Sequence, residues 1–386
     1  MLKPMLIAGG EVLGPDGLAQ VDLRLEDGRI AALSDGLRAQ PGETVLDARG
    51  LLVLPGIVDI HGDAFERQIM PRPKVHFPLD VALAETDRQL AVNGITTAFH
   101  GITLSWEPGL RSLENSAAVV RALDDLRDEL SVEHRLHIRW ETFALDAEAQ
   151  AGEWLALPVA PLFAFNDHTT ASFHKRTDVV KVRSWAERAG VDETEYRAML
   201  DQVWARRDEV EPAIERLAAR ARECGVAMLS HDDTGPQMRA RFRALGCGVA
   251  EFPLTWETAE AARAAGEHVV FGAPNVVRGG SHIGAVNAAD AVERGVCTVL
   301  ASDYYYPAPL VAVFRLVGER GLPLAQVWPL ISGNAARAAG LADRGALTEG
   351  QRADVVLVRA NGDGRPRVAA TVANGRIAHL GEPGLL

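Results

Sequence analysis

At 386 residues the chain is longer than one average domain and suits an α/β barrel that carries a small accessory domain. The 47% apolar content comes without any run near the roughly 20 residues of a bilayer span, which leaves no candidate for a membrane-spanning helix. A formal charge of -12 excludes broad, non-specific nucleic-acid binding, which needs an extended basic surface.

The first 50 or so residues read as short strands and turns, with Asp27-Gly28 as a hairpin signal. The last 40 or so read the same way, with strand candidates Ala353 to Val358 and Ala369 to Ile377 and a turn at Asn374-Gly375. Neither terminal segment can bury a core alone, so residues 1–54 and 344–386 are expected to join as one small composite β-domain. The apolar part of the start is too short for a secretory signal, and a cytoplasmic protein is expected. Between the termini, over 55–343, apolar strands alternate with helical stretches, the pattern of a parallel sheet with helical crossovers. Eight strand candidates are Gly56 to Asp63, Gly94 to Gly101, Leu136 to Phe143, Pro161 to His168, Val226 to Asp232, Gly248 to Leu254, His268 to Pro274 and Cys297 to Asp303. Helical spacing is clearest in Glu193 to Cys224, which Pro212 is expected to split in two. Cys224, Cys247 and Cys297 are odd in number and far apart, which fits reduced thiols in a packed interior.

The informative coincidence is where the ionisable residues fall. In LPGIVDIHGDAFERQIMPRP, from Leu54 to Pro73, an apolar strand ends in His61 and Asp63, which at i and i+2 lie on one side and can reach one ion. Glu141, His168, His231 and Asp303 likewise fall at or near the C-terminal ends of predicted strands, the active-site face of such a barrel. Imidazole nitrogens and carboxylate oxygens without nearby cysteine suit Zn first, then Mn, Fe or Ni. A pair of divalent ions could share Glu141 as a bridge.

These residues, in this order, resemble the amidohydrolase superfamily over nearly the whole chain, and GALTEGQRADVVLV resembles the return of the chain into that family's small β-domain. The resemblance implies a distorted TIM-like (β/α)8 barrel with a small β-sandwich domain built from both termini, and it carries His61, His231 and Asp303 over as metal ligands. Asp63 stands where the family has a second His. No Lys ends the fourth strand, and the sixth ends in EFPLT with Glu251 and no His. Glu141 in RWETF stands where some members place a bridging Glu, and His168 in FNDHT would fill the vacancy on the fourth strand.

The altered set, with HGDAFERQIMPRP, NDHTTASF, LSHDDTGP, GAPNVVRGGSHIG and ASDYYYPA, resembles the phosphonate-metabolism branch of the superfamily. That branch implies a diphosphatase of the carbon-phosphorus lyase pathway, whose small-molecule substrate is α-D-ribose 1-methylphosphonate 5-triphosphate. Such a substrate needs cations, and Arg67, Arg72, Lys175, Arg176, Arg183 and Arg278, with Lys74 and Lys181, follow predicted strand ends. Water would attack the α-phosphorus in line with departing diphosphate, with Asp303 taking its proton and His282 or an added Mg ion neutralising the leaving group. Tyr304, Tyr305 and Tyr306 could line the pocket. A homo-oligomer is compatible with this reading. Two other readings remain: a relative acting on a C–N bond, such as a deaminase or cyclic amidase, and a metal-free interaction protein of the same superfamily.

Overall fold

The computed structural model describes residues 3–72, 74–280, 286–360 and 365–386. Eight parallel strands form one sheet in chain order: Ile57–Gly62, Ile95–Leu104, Glu133–Glu141, Leu162–Asn166, Ala227–His231, Cys247–Glu251, His268–Gly272 and Val299–Ala301. Every residue of Ile57–Gly62 and of Ile95–Leu104 is buried, as strands covered on both faces require. A parallel bridge between Gly62 and Asp303 brings the first and eighth strands together and closes the barrel. Side chains reinforce the seam, because Asp59 accepts from the Ser302 amide at 2.9 Å and from its hydroxyl at 2.5 Å. The all-α/β barrel expected from the eight apolar runs is therefore the fold observed.

Helices surround the barrel. Those of Leu79–Val92, Leu113–Asp125 and Val210–Glu223 place Leu83, Leu90, Leu123, Ile214 and Leu217 in the apolar layers against the strands. The stretch around Pro212 is two helices, Glu193–Ala205 and Val210–Glu223, joined by a short 3-10 turn. The break falls at Arg206, ahead of the proline, and Pro212 sits in the first turn of the second helix, where a missing N–H costs nothing. Gly333–Ala338 sends Ala335, Ala336 and Ala338 against Val58, Ile60, Leu229 and Val299.

The termini build two further sheets. One has four strands, Arg29–Ser34, Asp22–Glu26, Met5–Ala8 and Thr44–Asp47; the other has six and draws on both ends of the chain. In the second, Val355–Ala360 pairs antiparallel with Leu52–Pro55, Leu357 facing Val53. Met5, Ile7, Leu23, Leu25, Val53, Val355, Leu357 and Val372 share one core between the two sheets, the β-sandwich. Both hairpin signals appear as turns with consecutive positive φ, Asp27 (46°) with Gly28 (76°) and Asn374 (49°) with Gly375 (75°), the geometry that two-residue hairpins favour. Cys224, Cys247 and Cys297 are free thiols, the last two buried. Among the described residues no helix is long and apolar enough to cross a membrane.

Candidate active site

Three strand ends share one backbone device. Asp232, Phe252 and Asp303 have φ of 58°, 53° and 55°, a left-handed conformation that is costly for residues with a β-carbon. Each still extends the ladder: Asp232 N–H donates to Glu251 O at 2.9 Å, Phe252 N–H to Val270 O at 3.0 Å, and Asp303 N–H to His61 O at 2.8 Å. The chain thus turns sharply at the rim while staying hydrogen-bonded. The strained residues cluster around the ionisable groups.

At the centre lies Glu251, fully buried. His61 Nδ1 meets its Oε1 at 2.7 Å and His231 Nδ1 its Oε2 at 2.8 Å. A carboxylate only accepts, so both Nδ1 atoms carry hydrogens and in the neutral rings both Nε2 atoms present lone pairs, the arrangement in which histidines ligate metal. The two rings lie 5.6 Å apart and nearly parallel, with Phe252 against both. Burial works against charging Glu251, yet the surrounding His61 and His137 hold its pKa well below the usual carboxylate range. Burial pushes the His61 imidazole down, but the Glu251 carboxylate outweighs it and the net shift is upward. A cation at Nε2 would displace that proton.

Among the described residues polar atoms converge into three groups able to hold an ion: His61, Asp63 and Asp303; His168, His231 and Asp232; and His61, His231 and Glu251. The first two fit a divalent cation by donor chemistry, since they offer imidazole nitrogen and carboxylate oxygen only. The third is already committed to internal hydrogen bonds through Nδ1. Glu141 stands beside the second group and holds His168, whose Nδ1 donates to Oε1 at 2.6 Å while its backbone N–H donates to Oε2 at 3.2 Å. The Glu141 charge raises the His168 pKa to about 9 against the opposing effect of burial. Burial is also the main reason Asp303 titrates at about 6, with nearby Asp63 and Asp59 adding to it.

The sequence pattern passed over Arg139, which occupies the middle of this site. Only 4% exposed, it donates from Nη2 to His231 Nε2 at 3.1 Å and points Nη1 at Asp63 Oδ2, 3.6 Å away. Its place two residues before Glu141, on the same side of the third strand, was the available signal. Of the histidines outside the predicted set, His137 donates to Ile60 O at 3.0 Å and burial holds its pKa down at about 3. His100 and His134 form a chain to Asp87, at 2.8 and 3.1 Å, on the side of the barrel facing the Leu79–Val92 helix.

Two cavities flank the cluster. One of about 260 Å³ is lined by His61, Asp63, Arg139, His231, Asp303, Tyr304 and Arg278. The other, about 460 Å³, is lined by Glu141, His168, Trp106, Lys175, Lys181, Trp185 and Arg188. Arg278 donates to the Tyr304 hydroxyl at 3.4 Å, and Arg67 lies 5.8 Å over the same ring. Tyr306 is buried and Tyr305 is half exposed. The remaining expected cations are placed differently. Arg176 stacks on Phe173 at 3.8 Å and faces Asp201; Arg183 pairs with Glu193 at 3.1 Å; Arg72 stands in an exposed turn bridged to Val75. His282 lies outside the described residues.

No protein-family model matches the sequence. The chain is 32% identical over 369 residues, 92% of its length and 94% of the relative's, to the α-D-ribose 1-methylphosphonate 5-triphosphate diphosphatase of Escherichia coli K12. Shorter stretches resemble dihydroorotases, for example 44% identity over 62 residues with that of Syntrophus aciditrophicus, 15% of this chain and 14% of that one. Among solved structures, the N-isopropylammelide isopropylaminohydrolase of Burkholderia multivorans matches with a TM-score of 0.65 and 21% identity over 97% of this chain and 98% of the other. The β-aspartyl dipeptidase of Fervidobacterium islandicum matches with a TM-score of 0.64 and 16% identity over 100% and 98%. With that fold, that rim of histidines and carboxylates and that full-length relative, the chain belongs to the amidohydrolase superfamily, in the family of the α-D-ribose 1-methylphosphonate 5-triphosphate diphosphatase.

Proposed function

We propose that the protein hydrolyses α-D-ribose 1-methylphosphonate 5-triphosphate to the 5-phosphate and diphosphate, a reading supported by its Escherichia coli relative, which is named a diphosphatase of that compound. The observation that carries the reading is the pairing of a metal-fit cluster with two adjoining cavities that present Arg278, Arg139, Lys175, Lys181 and Arg188. A substrate with an anionic group at each end spans such a site. A C–N hydrolase acting on a neutral ring has no need of these side chains.

His61, Asp63 and Asp303 would hold divalent metal, Zn before Mn, Fe or Ni, beside the polar group of His168, His231 and Asp232, with Glu141 fixing His168 and Mg accompanying the triphosphate. Bound there, such metal supplies the Lewis acidity that lowers the pKa of water and offsets phosphoryl charge. Glu251 keeps His61 and His231 turned with Nε2 inward. Asp303, buried at the rim and deprotonated above a pKa of about 6, accepts the proton of the attacking water. Arg278 and Arg67, gathered by Tyr304, and Lys175 bind phosphate or phosphonate oxygens. Arg72, Arg176, Arg183 and His282 stay in the proposal as outer contacts for the long anionic tail or its departing diphosphate. A cytoplasmic enzyme, free of nucleic acid and able to self-associate, is part of the same proposal.

The test is hydrolysis in ¹⁸O-labelled water with the ribosyl triphosphate, beside a panel of cyclic amides and amino-substituted rings. Diphosphate release with the label in the 5-phosphate is expected. Turnover of the ring compounds alone would refute the assignment, and label in diphosphate would move the attack to the β-phosphorus.

A further inference from the structure

We propose that Arg139 is a permanent cation of the reaction centre, standing between the two ligand groups where a second divalent ion would otherwise be needed, so that the protein binds one ion per chain at His61, Asp63 and Asp303. The inference rests on the preceding reading only in assuming that a divalent ion binds.

Arg139 touches both groups at once. Its Nη2 is 3.1 Å from His231 Nε2, and a guanidinium has hydrogens to give and no lone pair to take one. The His231 lone pair that a metal would use in the second group is therefore engaged by an N–H. The other arm faces Asp63 at 3.6 Å, which brings the positive charge to the first group as well, where two carboxylates, Asp63 and Asp303, offset it against the single Asp232 of the second group. Arg139 Nε has no hydrogen-bond partner among the described residues although the side chain is 4% exposed and lines the smaller cavity. A buried donor of this kind is expensive unless a ligand oxygen completes it.

The neighbouring strand is cut to fit. Gly101 faces the arginine, and a β-carbon there would stand 3.1 Å from Arg139 Cδ and 3.8 Å from Nη1. Asp63 then gains a reason: a neutral histidine at that position could not neutralise the guanidinium, whereas a carboxylate does so while keeping an oxygen for the ion. A divalent cation in the group of His168, His231 and Asp232 would meet a fixed positive charge that cannot lose its proton. The pair of ions expected from the sequence reduces to one ion and one guanidinium.

The experiment is metal stoichiometry without substrate. Wild type, Arg139→Lys and Arg139→Met are stripped by chelator, titrated with Zn or Co and measured by elemental analysis, with Co(II) paramagnetic resonance distinguishing isolated from coupled ions. Wild type and Arg139→Lys are expected to saturate at one ion with an isolated signal. Arg139→Met is expected to take a second ion at least about tenfold more tightly than wild type does, because the repulsion is gone. Two tightly bound, coupled ions in wild type would overturn the inference, as would an Arg139→Met protein that stays at one ion with unchanged affinity. Should Arg139→Met not fold, the wild-type stoichiometry and coupling decide alone. No bound ion in wild type would instead sink the metal-dependent reading of the whole site.

Discussion

At the scale of single residues, the site works by setting neighbouring groups to different protonation states. His168 and Glu141 are an imidazolium and a carboxylate held at 2.6 Å, and the Glu141 charge carries the His168 pKa to about 9. A histidine whose folded pKa exceeds its unfolded value of about 6.5 stabilises the fold fully below that value and loses the contribution as pH rises through about 9. Its ring is 45% exposed, so solvent screens the pair and the energy involved is small. The measurable consequence is spectroscopic: in metal-free protein the His168 ring resonances should titrate near 9, and in Glu141→Gln they should fall toward the ordinary range. A wild-type midpoint at or below 6.5 would contradict the pair. Asp303 is shifted the other way for a carboxylate, up to about 6, chiefly by burial. Above that pH the fold bears an ionised group that the unfolded chain holds more comfortably. Asp303→Asn should therefore lower turnover on the order of 10³-fold, the scale of a lost general base, while the metal-free melting temperature at pH 8 stays the same or rises. A melting temperature that drops by several degrees would show that the carboxylate is structural instead.

At the scale of elements, the first and eighth strands decide whether the metal group exists at all, since His61 and Asp63 come from one and Asp303 from the other. The seam is short: the Gly62–Asp303 bridge, the two hydrogen bonds from Ser302 to Asp59, and little space between them, because a β-carbon on Gly62 would come within 2.7 Å of Asp59 Oδ2. Asp59→Ala leaves the buried Ser302 amide and hydroxyl without acceptors, at a cost of about 3 kcal/mol. It should also weaken metal binding, though Asp59 belongs to none of the ligand groups. Calorimetry and metal titration check both, and unchanged metal affinity would mean that the bridge alone sets the register. The strands themselves were legible in the sequence, because mostly apolar runs such as Ile57–Ile60, interrupted only by Asp59, and Leu162–Phe165 end in polar rim residues, and burial on both faces leaves that mark. Glu251 and Arg139 were not legible in role. Nothing in EFPLT or RLHIRWE says that one carboxylate will meet two histidines 190 and 20 residues away, or that a strand arginine points inward. Such facts belong to barrel closure, which no local period encodes. Arg176 and Arg183 show the converse: right in composition and position along the chain, they face Asp201 and Glu193.

At the scale of the whole molecule, the small β-domain is tied to the rim chemistry through the chain itself. Leu52–Pro55, a strand of the terminal sheet, runs within two residues into Ile57–Gly62, the strand that ends in His61. The junction is pinned from two sides, since Gly56 N–H donates to Asp354 O at 2.9 Å and the Trp328 indole N–H donates to Pro55 O at 3.0 Å, and nearby Thr371 Oγ1 of the terminal sheet donates to Ala91 O of the Leu79–Val92 helix at 2.7 Å. Arg344 adds an ionic clamp. It is 6% exposed, and its guanidinium reaches Thr97 Oγ1 at 2.8 Å and Glu133 at 2.7 Å, both on barrel strands, just where the chain leaves the barrel for the last time. Breaking a buried pair of this kind costs on the order of 3 kcal/mol, because the partner charge stays buried. Glu133 keeps Arg352 at 2.9 Å, so the loss should sit at or below that figure. If barrel and β-domain unfold as one cooperative unit, Arg344→Met shifts a single calorimetric transition downward and leaves turnover per folded molecule unchanged. If they are independent, the same variant splits the transition in two, the barrel melting at its own temperature. The direct run of chain from Leu52 to Gly62, two strands with only Gly56 between them, favours the single transition, since the β-domain cannot open without releasing the segment that sets the height of His61 on the barrel rim.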